Sequence, residues 1–200
     1  MIKLYGMTGS GNCWKPAALL RLLGQPFEWI ETSTLAGETR KPEFLALNAN
    51  GRVPLLQFDD GRLLAESNAM LCHFAEGSAY LPAPGYERSK VLEWLFFEQY
   101  SHEPYIATVR FWIHFLGKRE AWRDRIAEAS IRGRAALGVM EQRLAAHDFL
   151  AGDFSIADIA LYAYTHVADE GDFDLTPFPA VRAWLARCEA QAGFVPMRLP

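Results

Sequence analysis

The sequence predicts an α/β domain followed by an all-α one, and three observations carry that reading. Across residues 1–80, short apolar runs of strand length alternate with helix-length stretches. Leu81-Pro-Ala-Pro-Gly85 then puts two prolines and a glycine into five residues, which no helix continues through. Beyond that point, apolar residues recur only at helical spacing. The boundaries read from this are 1–80 for the α/β domain, 81–86 for a linker and 87–200 for the helical domain.

Each element has a local reason. Ile2-Lys-Leu-Tyr5 reads as a buried strand. Cys13 to Leu23 reads as a helix, with Ala17, Leu19, Leu20, Leu22 and Leu23 apolar and Gly24 as its stop. Phe27 to Glu31 alternates as a second strand. Pro42 opens a short helix through Leu47, ended by Asn48-Ala-Asn50-Gly51. Val53 to Phe58 and Arg62 to Ala65 are strands joined by the hairpin signal Asp59-Asp60-Gly61. Ser67 to Glu76 is a helix that starts at a capping residue. The order is β-α-β-α-β-β-α.

In the helical domain, Tyr86 to about Leu116 reads as one long helix that Pro104 should kink. Glu120 to about His147, Ser155 to Asp169 and Pro179 to Gln191 are further helices. Ser155-Ile-Ala-Asp158 has the pattern of a capping box, and the apolar stripe of Ile156, Ile159, Ala160 and Tyr164 predicts a buried helix behind it.

Composition narrows the function. A chain of 200 residues with 50% hydrophobic and 13% aromatic content can fill a core. Net charge is −4 and no basic run occurs, which argues against a nucleic-acid or anionic-membrane partner. No apolar run reaches the roughly 18 residues of a membrane span. Lys3 and Tyr5 break the earliest apolar run, so no signal peptide is expected. The three cysteines (Cys13, Cys72, Cys188) are widely spaced and share no metal-ligand spacing with the five histidines. No metal site is expected, and the location read from this is a reducing cytoplasm.

The turn after the first strand draws the chemistry to itself. Met7-Thr-Gly-Ser10-Gly-Asn12-Cys13 delivers a hydroxyl, an amide and a thiol to the start of a helix. Unpaired N–H groups and a partial positive charge there suit a thiolate or another anion.

Four segments, in order and across essentially the whole chain, resemble the cytosolic glutathione transferase family. Ser10-Gly-Asn-Cys13 is similar to the Ser-x-x-Cys turn of its serine-type (theta- and nu-like) bacterial classes. Asn48-Ala-Asn-Gly-Arg-Val53-Pro54 resembles its Asn-Pro-x-x-x-Val-Pro segment, and Glu66-Ser67-Asn-Ala its Glu-Ser-x-Ala motif. Ser155-Ile-Ala-Asp158 resembles the capping box of its helical domain. The resemblance implies a thioredoxin-like N-terminal domain, an all-helical C-terminal domain, a homodimer, and glutathione as co-substrate.

It also implies roles. Ser10 or Asn12 would donate a hydrogen bond to the glutathione sulfur; either also reads as a plain helix cap, and capping and donating are compatible. In some related bacterial classes the Asn of this turn outweighs the hydroxyl, and Lys15 aligns with that same turn. Cys13 reads as a packed residue, with mixed-disulfide chemistry as the lesser alternative. Val53-Pro54 would be a cis pair that offers Val53's backbone to the peptide part of glutathione. Glu66 and Ser67 would hold the γ-glutamyl end. Lys41 and Arg52 would meet the glycine carboxylate or remain solvated charges; serine-type relatives often carry Lys or Gln at Arg52's place. For the electrophile's pocket, the candidates are Trp14, Tyr105 and Arg110. The function implied is conjugation of glutathione to a small hydrophobic or electrophilic substrate. Glutathione-dependent disulfide or peroxide reduction, dehalogenation or isomerisation would use the same site, and a non-catalytic interaction module is the alternative of another class.

Overall fold

A computed structural model describes residues 1–197. The chain divides into two compact units: Met1–Glu76 together with the segment from Ala192 onward, and Gly77–Gln191.

The first unit holds β1 (Ile2–Gly6), α1 (Gly11–Leu22), β2 (Phe27–Glu31), α2 (Pro42–Leu47), β3 (Leu55–Gln57), β4 (Leu63–Ala65) and α3 (Ser67–Ala75). The sheet order is β2-β1-β3-β4. β2 runs parallel to β1, with Leu4 opposite Trp29; β3 runs antiparallel to β1, with Leu4 opposite Leu56; β4 returns antiparallel, with Leu56 opposite Leu64. This is the thioredoxin-like arrangement that the family resemblance implies. The side-chain period of two sends Leu4 and Leu56 to one face, where they pack with Ala17 and Leu20 of α1 and Met70 of α3. Tyr5 points the other way and meets Phe44 of α2 edge-on, with ring centroids 6.3 Å apart.

The tail belongs to this unit for a visible reason. The Trp14 indole donates to the Val195 carbonyl at 2.9 Å, and its ring meets Phe194 edge-on at 5.5 Å. The second unit begins at Gly77. Tyr80 accepts from the Ile156 N–H at 3.0 Å and packs its ring against Phe154, which ties it to the second unit.

The second unit holds α4 (Tyr86–Phe97), α5 (Glu103–Arg110), α6 (Arg123–Leu144), α7 (Ile156–Thr165) and α8 (Pro179–Glu189). The single long helix expected from Tyr86 is interrupted. A π-helical stretch, Glu98–His102, separates α4 from α5, and another, Phe111–Phe115, follows α5. Pro104 explains the first break. A proline ring clashes with the carbonyl four residues back, and widening the preceding turn moves that carbonyl away. Pro104 then sits in the first turn of α5, where its missing N–H costs nothing.

All ten residues of α7 are buried. Its capping box forms as the spacing predicts: Ser155 Oγ accepts from the Ala157 N–H at 3.3 Å, and Asp158 Oδ2 accepts from the Ser155 N–H at 3.0 Å. Asp158 also takes the Leu150 N–H at 3.1 Å and the Trp184 indole N–H at 2.9 Å. Burial pushes its carboxyl up to about 6 against these donors.

Candidate active site

The turn between β1 and α1 is held from two directions. From within, the Cys13 sulfur accepts from the Met7 N–H at 3.4 Å. From outside, Glu31 at the end of β2 grips Thr8 twice, accepting from its N–H at 2.9 Å and its hydroxyl at 2.7 Å. The Trp29 indole N–H reaches the same carboxylate at 2.8 Å. Burial works to raise the Glu31 carboxyl, but the bonds from Trp29 and Thr8 outweigh it and hold it below the usual range. Gly6 lets Trp29 lie there, since a Cβ at Gly6 would stand 2.4 Å from the indole. Glu31 drew no notice in the sequence. Its only mark there is a place at the end of a strand.

Ser10 is the N-cap of α1, extended at φ −83° and ψ 121°, and its hydroxyl oxygen accepts from the Cys13 N–H at 3.4 Å. A serine hydroxyl has one proton to give and lone pairs to accept with. Capping uses a lone pair, and the same hydroxyl also hydrogen-bonds the Cys13 side chain. Cys13 is fully buried. Burial, the largest influence, raises its thiol to about 11 even though Ser10 and the Met7 N–H lower it. The thiol is protonated at neutral pH and is a packed group rather than a nucleophile.

Asn12 faces α3. Its Oδ1 accepts from the Lys15 ammonium at 2.8 Å and from the Ser67 hydroxyl at 3.1 Å. This joins the starts of α1 and α3 and brings Ser10, Asn12 and Ser67 into one neighbourhood. Lys15 is 0% exposed, which its sequence position did not announce.

Glu66 is the N-cap of α3 and sits at φ 71°, ψ 116° with its side chain exposed. Non-glycine residues rarely adopt positive φ, and such strain, about 1–3 kcal/mol, concentrates where a backbone is held for function. Ser67 follows as the first residue of α3 and is 5% exposed.

Val53–Pro54 is a cis peptide. Val53 lies before the β1–β3 register, which ends at Tyr5 opposite Leu55. Asn48 builds the approach: its Nδ2 donates to the Arg52 carbonyl at 2.8 Å, its Oδ1 accepts from the Asn50 N–H at 3.1 Å, and its carbonyl accepts from the Gly51 N–H at 2.8 Å. Gly51 has φ +61° and a Cβ there would lie 2.9 Å from the Thr39 carbonyl, so only glycine fits. Arg52 and Lys41 are both exposed, the latter as N-cap of α2.

The remaining candidates are Trp14, Arg110 and Tyr105. Trp14 is 5% exposed and anchors the tail, as described above. Arg110 is buried, and its Nε donates to Glu170 at 2.6 Å, so its charge is matched inside the second unit. Tyr105 is half-buried and its hydroxyl accepts from Arg132 at 3.0 Å. Among the described residues, no group of three or more His, Cys, Asp or Glu is placed to hold a metal ion. No described helix is long and apolar enough to cross a membrane.

Residues 4–79 match the family model for the glutathione S-transferase N-terminal domain, and residues 97–192 match that for its C-terminal domain. The chain belongs to the glutathione S-transferase family. A solved glutathione S-transferase from Xanthobacter autotrophicus Py2 is 54% identical, with a TM-score of 0.96 over 98% of this chain and 97% of that one. Glutathione S-transferase D7 of Anopheles gambiae is 31% identical over 198 residues, covering 93% of this chain and 85% of that protein. A family member from Pseudomonas fluorescens Pf-5, solved with two glutathione bound, is 25% identical, with a TM-score of 0.84 over 96% of this chain and 89% of that one. Membership makes glutathione the co-substrate.

Proposed function

We propose that this glutathione transferase conjugates glutathione to a small electrophile, with Ser10 and Asn12 as the donors that stabilise the thiolate. The single observation behind this reading is the Asn12–Ser67 hydrogen bond of 3.1 Å. It brings two helix starts and their donors to one place, which suits a ligand with an anion at each of two points.

The chemistry follows from glutathione's own groups. A free thiol of this kind has a pKa of about 8.5, so little is ionised at neutral pH. Donors that bond the thiolate better than the thiol shift that balance. In this reading the Ser10 hydroxyl proton and the Asn12 amide serve the sulfur, backed by the positive end of α1. The Ser67 N–H and the start of α3 take the γ-glutamyl carboxylate, and Glu66 pairs with the ammonium beside it. Val53 offers backbone to the cysteinyl residue, and Lys41 and Arg52 lie in segments suited to the glycine carboxylate. Tyr105 is the candidate for contact with the electrophile. Arg110, paired with Glu170, and Trp14, tied to the tail, support packing in this reading. A cytoplasmic homodimer completes it, as expected of the family.

Retention on glutathione–agarose with elution by free glutathione tests the binding half. The mechanism is tested by titrating the ultraviolet absorbance of the bound thiolate. Ser10→Ala should raise the pKa of bound glutathione by about one to two units, the worth of one hydrogen bond to a charged group. A shift with Asn12→Ala and none with Ser10→Ala would reverse the order of the two donors.

A further inference from the structure

We infer that Lys15 is a positioning residue for thiol activation: its buried ammonium fixes the Asn12 amide with its NH2 end turned away from α3, toward the place of the glutathione sulfur. The inference rests on the glutathione reading above and assigns a residue that reading leaves out.

Lys15 is 0% exposed, among buried Trp14, Pro16, Ala17 and Ala18. Lysine is almost never fully buried without a compensating partner, because stripping water from an ammonium costs several kcal/mol. An apolar residue of similar length would fill the same volume at no such cost. What the ammonium adds is direction. Lys15 lies three positions after Asn12, on the same face of α1, and Nζ reaches Asn12 Oδ1 at 2.8 Å. An ammonium can only donate, so the amide atom it meets has to be the oxygen. The Ser67 hydroxyl, a weaker constraint because it can also accept, meets the same oxygen at 3.1 Å. With the oxygen fixed on that side, the planar amide carries its two N–H donors on the other. A donor that is already oriented loses little entropy when it bonds a thiolate. Lys15 therefore acts on the sulfur through Asn12, and its charge sits behind the amide with the sign that favours the anion.

The decisive measurement is the fraction of bound glutathione present as thiolate at neutral pH. We compare wild type, Lys15→Met, Asn12→Ala and the double variant. Methionine keeps the length and apolar bulk and removes the donor. Lys15→Met should lower the thiolate-to-thiol ratio about tenfold, one unit of thiol pKa. In the Asn12→Ala background the same change should have no further effect. Affinity for S-methylglutathione, which has no thiol to ionise, should stay within about threefold of wild type, given that one hydrogen bond to a charged group is worth more than that. An unchanged thiolate fraction in Lys15→Met overturns the proposal, as does an undiminished loss in the Asn12→Ala background. If Lys15→Met does not fold, Lys15→Leu, which also removes the donor, replaces it and the cycle is read in the same way. Wild type that fails to bind glutathione overturns the underlying reading as well, which separates the two failures.

Discussion

Replacing Glu31 with glutamine should loosen the turn that carries Ser10, and the loss should depend on pH. The carboxylate receives three donors: the Thr8 N–H on one oxygen, and the Thr8 hydroxyl and Trp29 indole on the other. A glutamine can satisfy only one side. With its oxygen toward Thr8 N–H, its NH2 faces the Trp29 N–H; turned over, it faces the Thr8 N–H. Either way one donor loses its acceptor and the rest lose the charge. Hydrogen bonds to charged groups are worth about 1.5–3 kcal/mol when buried. Glu31 is exposed, so water softens the loss to about 1–2 kcal/mol. With a urea slope of about 2 kcal/mol/M, the unfolding midpoint should fall by about 0.5–1 M.

The pH dependence has a definite sign. The folded carboxyl titrates below its ordinary 4.5. Its contribution is therefore present above about 4.5 and lost as pH falls through the folded value. The deficit of Glu31→Gln should be full near neutral pH and should shrink in acid, where both side chains are neutral. Urea titrations of the two proteins near pH 7 and near pH 3 measure it. An equal deficit at both values, or none at either, would refute the assignment of Glu31 as the brace of this turn.

Two further predictions concern the second unit. Asp158→Asn turns an NH2 toward part of a ring of four donors (Leu150 N–H, Trp184 Nε1–H, and the N–H and hydroxyl of Ser155), and should cost about 2–4 kcal/mol in urea unfolding. Gly133→Ala should destabilise despite the gain of about 1 kcal/mol in helix propensity. The new Cβ would lie 2.5 Å from the Phe173 ring and 3.2 Å from Ile106, both buried, and overpacking of that kind costs about 1–3 kcal/mol. A raised melting temperature for Gly133→Ala would contradict it.

What the sequence disclosed was local. Phe27–Glu31 and Pro42–Leu47 begin and end where alternation, proline and asparagine put them. The capping box at Ser155 and Asp158 needs only its spacing and forms with both bonds. The first unit's strand and helix order follows from the same kind of signal. What stayed hidden depends on residues far apart in the chain. The Glu31 grip on Thr8 spans 23 positions, the Ser67–Asn12 bond 55, and the Trp14–Val195 bond 181. The burial of Lys15 is invisible for the same reason, since a lysine in an amphipathic helix ordinarily marks the wet face. Of the candidate residues, those at helix starts (Ser10, Asn12, Ser67) were legible through capping preferences. Trp14 and Arg110 drew notice for their chemistry, and their packing could be learned only from the folded chain.

The Trp14 anchor makes the helical unit an insertion within the first. Synthesis proceeds from the N-terminus, so the sheet, α1 and α3 emerge long before Phe194 and Val195 exist. Until then the Trp14 indole lacks its tail carbonyl, and one side of α1 lacks its cover. The first unit, although encoded first, is therefore completed last. Its contact with the tail waits for the whole helical segment to be made, which links the packing around Trp14 to translation of residues 77–191.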